Sequence, residues 1–216
     1  SFYFCPLLGF GTGLYYSLFH SVSAFCNAGF DLMGRFEQFS SLTSFTDNWY
    51  VCSVIMILII VGGIGFFVWY DMMTNKFSAH KYKLHTKLVL LVTTILIFGG
   101  ALVIFLFELR NPETDGWSIN KRILTSLFQS VTARTAGFNT VDLNAMSQSS
   151  KAMMIFLMFI GGSTGSTAGG MKTTTFAVLI MSVITTFRRR KSIEAFGRRL
   201  EDSVIRTSCC IFVMYI

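Results

Sequence analysis

The segment "SLFHSVSAFCNAGFD", residues 17–31, returns 109 positions later as "SLFQSVTARTAGFN", residues 126–139. Both copies contain Ser-Leu-Phe-x-Ser-Val and then a hydroxyl residue, Ser23 or Thr132. Both close on Ala-Gly-Phe before an Asp or an Asn, and the second copy is one residue shorter. An internal repeat determines how the rest of a chain is divided, so it is interpreted first.

Composition indicates the environment of the repeated unit. Hydrophobic residues make up 52% of the 216 residues and charged residues 13%, whereas soluble domains carry about 25% charged residues. This mixture is typical of a membrane protein. The chain starts at Ser1 and an apolar run reaches Ile216, so we expect it to be part of a longer protein.

The net charge of +7 is concentrated in residues 71–87 and 188–206, which hold eleven of the 18 Lys and Arg. Short basic loops of membrane proteins lie in the cytoplasm. Residues 31–48 and 108–120 are acidic or balanced, so we expect them outside. An RNA-binding surface is the alternative that a positive charge suggests. The clustering in two loops disfavours it, because charge acts only within about 10 Å in salt.

Two apolar runs, residues 49–70 and 88–107, are long enough to cross a bilayer, and Ile205 begins another. Residues 119–133 and their counterpart, residues 12–24, form helix-like stretches that are too short to cross. With the loops placed as above, these short helices must enter and leave the membrane on the outer side. The sequence therefore predicts an all-α membrane protein with tandem units of membrane helix, half-crossing helix, extended return and second membrane helix.

The extended return of each unit carries the repeated glycine, Gly29 or Gly137. Non-helical backbone at membrane depth is tolerated only where protein buries it or water lines it. Glycine permits the positive φ that turns carbonyls towards an axis, and such carbonyls can replace the water shell of a cation. The carboxyl end of the preceding helix adds partial negative charge. We therefore predict a cation-selective pore lining; the alternative is a tight turn between packed helices. The predicted carbonyl ligands are those of Asn27, Ala28, Gly29, Thr135, Ala136 and Gly137.

A second unusual stretch is "GGSTGSTAGGMKTTT", residues 161–175. The run from Lys151 to Phe187 would measure about 55 Å as one helix, too long for one crossing, and its glycines disfavour helix. We predict a polar loop at membrane depth. One alternative is a small-residue seam for helix packing, as in "VGGIG". Another is a phosphate-binding loop, which Met171 disfavours because it separates the last glycine from Lys172.

No constellation for catalysis or for a metal cofactor emerges. Zinc sites use spaced cysteine pairs, whereas Cys5, Cys26 and Cys52 stand alone and Cys209 and Cys210 are adjacent. We interpret the cysteines as buried thiols. The three His form no i, i+4 pair around a Glu. We therefore predict that the protein is not an enzyme.

At the two Ala-Gly-Phe segments the sequence resembles the Trk/Ktr/HKT superfamily of potassium transporters, most closely the Ktr-type membrane subunit. The resemblance covers nearly the whole chain. It implies four membrane–pore–membrane repeats around one pseudo-fourfold pore, with "CNAGFD" as the second filter and "RTAGFNTVDL" as the third. Residues 1–87 would be the second repeat without most of its first helix, and residues 88–190 the third repeat. Residues 191–216 would be a basic cytoplasmic linker and the start of the fourth repeat. Two filter glycines would lie outside this chain.

The resemblance also implies a gate, because the matching loop of the third repeat blocks the pore below the filter in that family. This role carries over to Gly161, Gly162, Ser163, Thr164, Gly165, Ser166, Thr167, Ala168, Gly169, Gly170 and Lys172. The implied transported ion is the potassium ion, with the sodium ion as a candidate coupling ion. The implied partners are a second copy of the subunit, a cytosolic ring of nucleotide-binding regulatory subunits and membrane lipids, in a bacterial plasma membrane. Nucleic acid is not an expected partner.

Two charged residues flank the predicted filter. Arg134 could brace it from behind through ion pairs, or could form a structural pair with Asp142 or an external acid. Asp31 could attract cations to the mouth or be a solvated loop acid. For the whole protein, a membrane scaffold without transport and a nucleotide-binding protein remain the alternatives to a transporter.

Overall fold

The computed structural model describes residues 4–36, 38, 40–76, 78–189, 193–196 and 198–215. The helices in this part of the chain are α1 (Phe4–Leu8), α2 (Phe10–Phe25), α3 (Trp49–Ile64), α4 (Phe66–Thr74), α5 (Leu84–Glu108), α6 (Ile119–Thr132), α7 (Gln148–Phe159), α8 (Thr173–Phe187) and α9 (Asp202–Tyr215). Strands β1 (Glu194–Ala195) and β2 (Arg198–Arg199) form a short antiparallel hairpin between α8 and α9. The regular secondary structure of the described residues is therefore almost all helical, as the sequence predicts.

Helix α5 is, among the described residues, the one unbroken helix long and apolar enough to cross a membrane. Its 25 residues span about 38 Å at 1.5 Å per residue. One side, including Val89 and Ile104, is buried against other helices, whereas Ile95 and Leu102 are exposed. The exposed side has the composition of a lipid-facing surface.

The apolar run of residues 49–70 does not form the single helix that the sequence predicted. Helices α3 and α4 meet at an angle of 90° around Gly65, whose φ is 96°. The backbone N–H of Phe66 donates to the Gly165 carbonyl at 2.9 Å instead of continuing the helix. A break at membrane depth needs such a substitute partner for the freed backbone groups. Because that partner comes from a distant part of the chain, hydropathy alone could not indicate the break.

The predicted half-crossing helices are α2, which packs against α3, and α6, which packs against α3 and α5. Their bounds agree with the predicted short helices. Ser118 caps α6 by accepting the Lys121 N–H at 3.3 Å. The main core joins the four helices to Leu42 and to the return that follows α6; its buried residues are Ala24, Leu42, Val51, Cys52, Ile55, Ile59, Ile97, Leu124, Phe128, Val131, Ala136 and Phe138. This core fixes the return after α6 against the helices.

The run from Lys151 to Phe187 is interrupted, as predicted. Helix α7 ends at Phe159, helix α8 begins at Thr173, and the residues between them are non-helical. We call residues 161–172 the glycine-rich loop. The predicted boundary between residues 190 and 191 lies outside the described residues, so the division into repeats stays a prediction.

The cysteines correct one prediction. Only Cys52 is buried, Cys5 is half-buried, and Cys26, Cys209 and Cys210 are exposed. The prediction of buried thiols was therefore wrong for most of them. In a membrane chain an apolar neighbourhood in the sequence accompanies exposed helix faces as well as the core, so it does not predict burial.

Candidate ion-binding site

The two repeated glycines lie side by side. Their φ angles are 72° at Gly29 and 88° at Gly137, in the left-handed region that glycine adopts readily. A Cβ on Gly29 would lie 2.2 Å from the Ala136 carbonyl oxygen and 3.0 Å from the Gly137 Cα. Ala28 and Gly137 are exposed in this chain. The two predicted filter segments therefore contact each other and keep an accessible side.

The residues before the Ala-Gly pairs also adopt positive φ, 51° at Asn27 and 75° at Thr135. Positive φ thus recurs at alternate residues, with Ala28 or Ala136 between. In an extended strand successive peptide groups point in opposite directions; this alternation breaks that pattern and lets successive carbonyls face one side. The sequence did not indicate positive φ at these two positions. Asn tolerates it, but for a β-branched Thr it is an outlier of the kind that clusters at functional sites.

The same hydrogen bonds brace the turn in both repeats. The Ser23 hydroxyl donates to the Phe30 carbonyl at 2.7 Å, and the Thr132 hydroxyl donates to the Phe138 carbonyl at 2.8 Å. The N–H of each alanine before the glycine donates to the Ser23 or Thr132 carbonyl at 3.0 Å. The hydroxyl shared by the two sequence copies therefore fixes the turn. Both sequence copies have a hydroxyl residue at this position, Ser23 or Thr132, and this shared hydroxyl could have indicated the role.

Helices α2 and α6 both direct their carboxyl ends at this site, because the turns follow directly after Phe25 and Thr132. A helix carboxyl end carries about half a negative charge. Neither helix has a basic residue in its last turn to offset that charge. The two helix ends by themselves therefore favour a cation over an anion, and the positive charge of the buried Arg134, two residues after α6, opposes them.

The glycine-rich loop fills the break between α3 and α4. The Ser163 N–H and hydroxyl both donate to the Gly63 carbonyl at 3.0 Å, and the hydroxyl also contacts the Ile64 carbonyl. The Thr167 N–H donates to the Gly62 carbonyl at 3.4 Å. The loop thus satisfies the carbonyls that the end of α3 leaves without helical partners.

The loop also contacts the first residue of one predicted filter segment and the residue just before the other. The Asn27 side-chain Nδ2 donates to the Thr167 hydroxyl at 2.9 Å, and that hydroxyl donates to the Phe25 carbonyl at 2.9 Å. On the other segment, Arg134 Nη2 donates to the Gly161 carbonyl at 3.1 Å. The structure therefore brings the predicted gate residues together with both predicted filter segments.

Within the loop, close backbone approach explains some of the glycines. A Cβ on Gly161 would lie 1.8 Å from the Gly169 carbonyl oxygen. The Gly161 N–H donates to the Met171 carbonyl at 3.0 Å, and Lys172 Nζ donates to the Ala168 carbonyl at 2.8 Å. Lys172 is thus engaged with its own loop. The other predicted gate residues, Gly162, Thr164, Gly165, Ser166 and Gly170, lie in the same compact turn.

Among the described residues, Arg134 contacts the glycine-rich loop and not an acidic side chain. Its side chain is buried, and in the part of the chain that the structure describes the ion pairs join Lys121 to Asp47 and Arg122 to Asp115. Arg134 instead donates to the Gly161 carbonyl of the glycine-rich loop, and its ion pairs and its role in bracing the filter stay predictions. Asp142, the proposed alternative partner, accepts the Asn144 N–H at 2.9 Å.

Asp31 caps a turn after the first predicted filter segment. One carboxylate oxygen accepts the Met33 N–H at 2.9 Å, and the residue is half-buried. The predicted role in attracting cations stays a prediction.

A half-crossing helix followed by a glycine turn, present twice beside broken membrane helices, defines a helical membrane protein with pore loops. The chain belongs to the TrkH family of cation transport proteins, whose family model matches residues 9–216. This membership implies a membrane location.

Curated relatives agree with this family. The chain is 39% identical over 209 residues to the potassium/sodium uptake protein NtpJ of Enterococcus hirae, covering 97% of this chain and 45% of the relative. It is 40% identical over 209 residues to the Ktr system potassium uptake protein B of Bacillus subtilis, covering 96% and 46%. The crystal structure of the potassium transporter TrkH from Vibrio parahaemolyticus superposes with a TM-score of 0.77 at 21% identity, covering 92% and 42%. The chain therefore spans about half the length of the curated relatives it matches.

Proposed function

We propose that the full-length protein takes up monovalent cations, chiefly potassium, across the cell membrane without covalent chemistry. Backbone carbonyls would select the ion, and this chain would supply two of four filter segments. The observation that carries the proposal is the contact between two turns with the same alternating positive φ, each at the carboxyl end of a half-crossing helix. Relatives named as potassium or potassium/sodium uptake proteins support it.

The glycine-rich loop is the gate in this proposal. It contacts both segments from the side of Asn27 and Arg134, and hydrogen bonds to three consecutive carbonyls of α3 hold it. The name of one relative, potassium/sodium uptake protein, supports sodium as a second ion. By the same resemblance, the partners are a second copy and a cytosolic regulatory ring, and the location is a bacterial plasma membrane.

The test is cation flux into liposomes that contain the purified full-length protein. Gly137→Ser should weaken the preference for rubidium or potassium over sodium, because a side chain strains the positive φ on which the carbonyl direction depends. Gly99→Ser is the matched control, since Gly99 has open space around its Cα and no positive φ.

Two outcomes would contradict the proposal. A wild-type protein that is folded but carries no cation would favour the scaffold alternative. Unchanged rubidium affinity together with unchanged sodium competition in Gly137→Ser and in Gly29→Ser would refute the filter.

A further inference from the structure

A small cavity lies behind the two predicted filter segments. It measures about 20 Å³ and is lined by Asn27, Thr93 of α5, Arg134, Gly63 and Gly162, together with aliphatic side chains of α3, α5 and α6. A water molecule needs roughly 10–15 Å³ and at least two polar partners. The cavity therefore has room for one water molecule.

Three buried polar atoms of the lining residues have no hydrogen-bond partner among the described residues: Asn27 Oδ1, Thr93 Oγ1 and Arg134 Nε. Buried polar atoms are nearly always paired with protein or with ordered water, because an unpaired one loses its hydration without compensation. Three such atoms at one cavity indicate a missing common partner.

The orientation of the Asn27 amide follows from its neighbour. The Thr167 hydroxyl donates its proton in the hydrogen bond to the Phe25 carbonyl, so its oxygen accepts a hydrogen bond from the Asn27 amide. Asn27 must therefore turn Nδ2 to Thr167, and its Oδ1 is the unpaired acceptor. The cavity thus offers one acceptor, one N–H donor on Arg134, and one hydroxyl on Thr93 that can do either.

We propose that this cavity binds one ordered water molecule, which accepts from Arg134 Nε, donates to Asn27 Oδ1 and bonds to the Thr93 hydroxyl. Three bonds are typical for a buried water. A cation does not fit, because Arg134 presents a positive charge and a donor to the same space. The water links both predicted filter segments to α5, and Thr93 becomes a positioning residue that acts through it.

The first experiment is a high-resolution cryo-electron microscopy map of the full-length protein. We expect one peak within hydrogen-bond distance of all three atoms. In Thr93→Val, which keeps the side-chain shape but removes the hydroxyl, the water retains two of its three partners, so we expect a weaker or displaced peak. Thr94→Val, a change at the exposed next residue, should keep the peak. An empty or side-chain-filled cavity, in a map that resolves other buried waters, would overturn the proposal, as would a peak that survives Thr93→Val unchanged.

A second measurement concerns function and rests on the proposed transport. Thr93→Val should lower the selectivity for potassium over sodium severalfold relative to Thr94→Val, with equal expression. Equal selectivity in the two variants would show that Thr93 has no positioning role in transport. The presence of the water molecule itself is tested separately by the cryo-electron microscopy map. A wild-type protein without flux would instead count against the proposed function.

Discussion

The two repeated glycines differ in the room around them. A Cβ on Gly29 would meet the Ala136 carbonyl oxygen at 2.2 Å, a distance that real Cβ atoms do not show, whereas a Cβ on Gly137 would meet the nearest atom, Gly29 Cα, at 3.5 Å. Both residues have positive φ. The same substitution therefore imposes backbone strain at both sites but displaces the neighbouring segment only from Gly29.

We expect Gly29→Ala to reduce potassium selectivity much more than Gly137→Ala. A left-handed alanine costs about 1–2 kcal/mol at either position, and Gly29→Ala additionally pushes the Ala136 carbonyl away. Competition of sodium with rubidium uptake is the measurement, with the amount of folded protein as the control. Equal effects of the two variants would show that the contact between the segments does not matter for selectivity.

At the residue scale, the sequence indicated which residues form the two turns, but it did not indicate the hydrogen-bond partners of those residues. The repeated Ala-Gly-Phe identifies the two turns, because glycine is chosen for a local backbone reason that the sequence itself records. The hydrogen bond of Arg134 to Gly161 was not predictable, since it joins residues on two elements whose approach depends on packing. The positive φ of Thr135 was not predictable either, because the intrinsic preference of threonine opposes the backbone conformation that the surrounding structure imposes.

At the scale of elements, the glycine-rich loop and the broken helix α3–α4 depend on each other. Ser163 supplies two donors to the carbonyls of Gly63 and Ile64. The absence of a side chain at Gly65 in turn makes room for the loop, because a Cβ there would lie 2.8 Å from the Thr164 carbonyl oxygen. The break is therefore a joint property of two segments that are far apart in the sequence, and neither segment alone predicts it.

Ser163→Ala should raise resting cation flux by about an order of magnitude. Losing the hydroxyl bonds destabilises the docked loop by about 1–2 kcal/mol, and about 1.4 kcal/mol corresponds to a tenfold change in an equilibrium. Thr164→Val is the matched control, because the Thr164 hydroxyl is exposed and pairs with Thr174 at the start of α8 instead of with α3. Flux that falls in both variants, in step with the amount of folded protein, would favour a packing seam over a gate.

At the scale of the whole molecule, the charge distribution predicts one orientation in the membrane. Residues 71–87 and 188–206 are expected in the cytoplasm, and residues 31–48 and 108–120 outside. Helix α5 connects the two sides, since it begins at Leu84 and ends at Glu108. The fold class was predictable at this scale because hydropathy and charge act along the whole chain.

Cysteine labelling tests this orientation in the full-length protein, with the reactive native cysteines replaced. An impermeant reagent applied to intact cells should leave Ser78→Cys unlabelled and should label Glu113→Cys, which lies on the exposed outer turn. After the cells are permeabilised, both should react. Labelling of Ser78→Cys from outside would reverse the predicted topology.

The docking of the glycine-rich loop on α3 has a further consequence for hydration. While the loop is docked, its N–H and hydroxyl groups occupy the Gly62, Gly63 and Ile64 carbonyls. If the loop withdraws, these carbonyls must find water at membrane depth. Withdrawal of the loop would therefore hydrate the ion pathway in the same step. Sucrose, which is excluded from protein surfaces and from newly opened crevices, should therefore reduce wild-type flux, whereas Ser163→Ala, with its loop already loosened, should respond less.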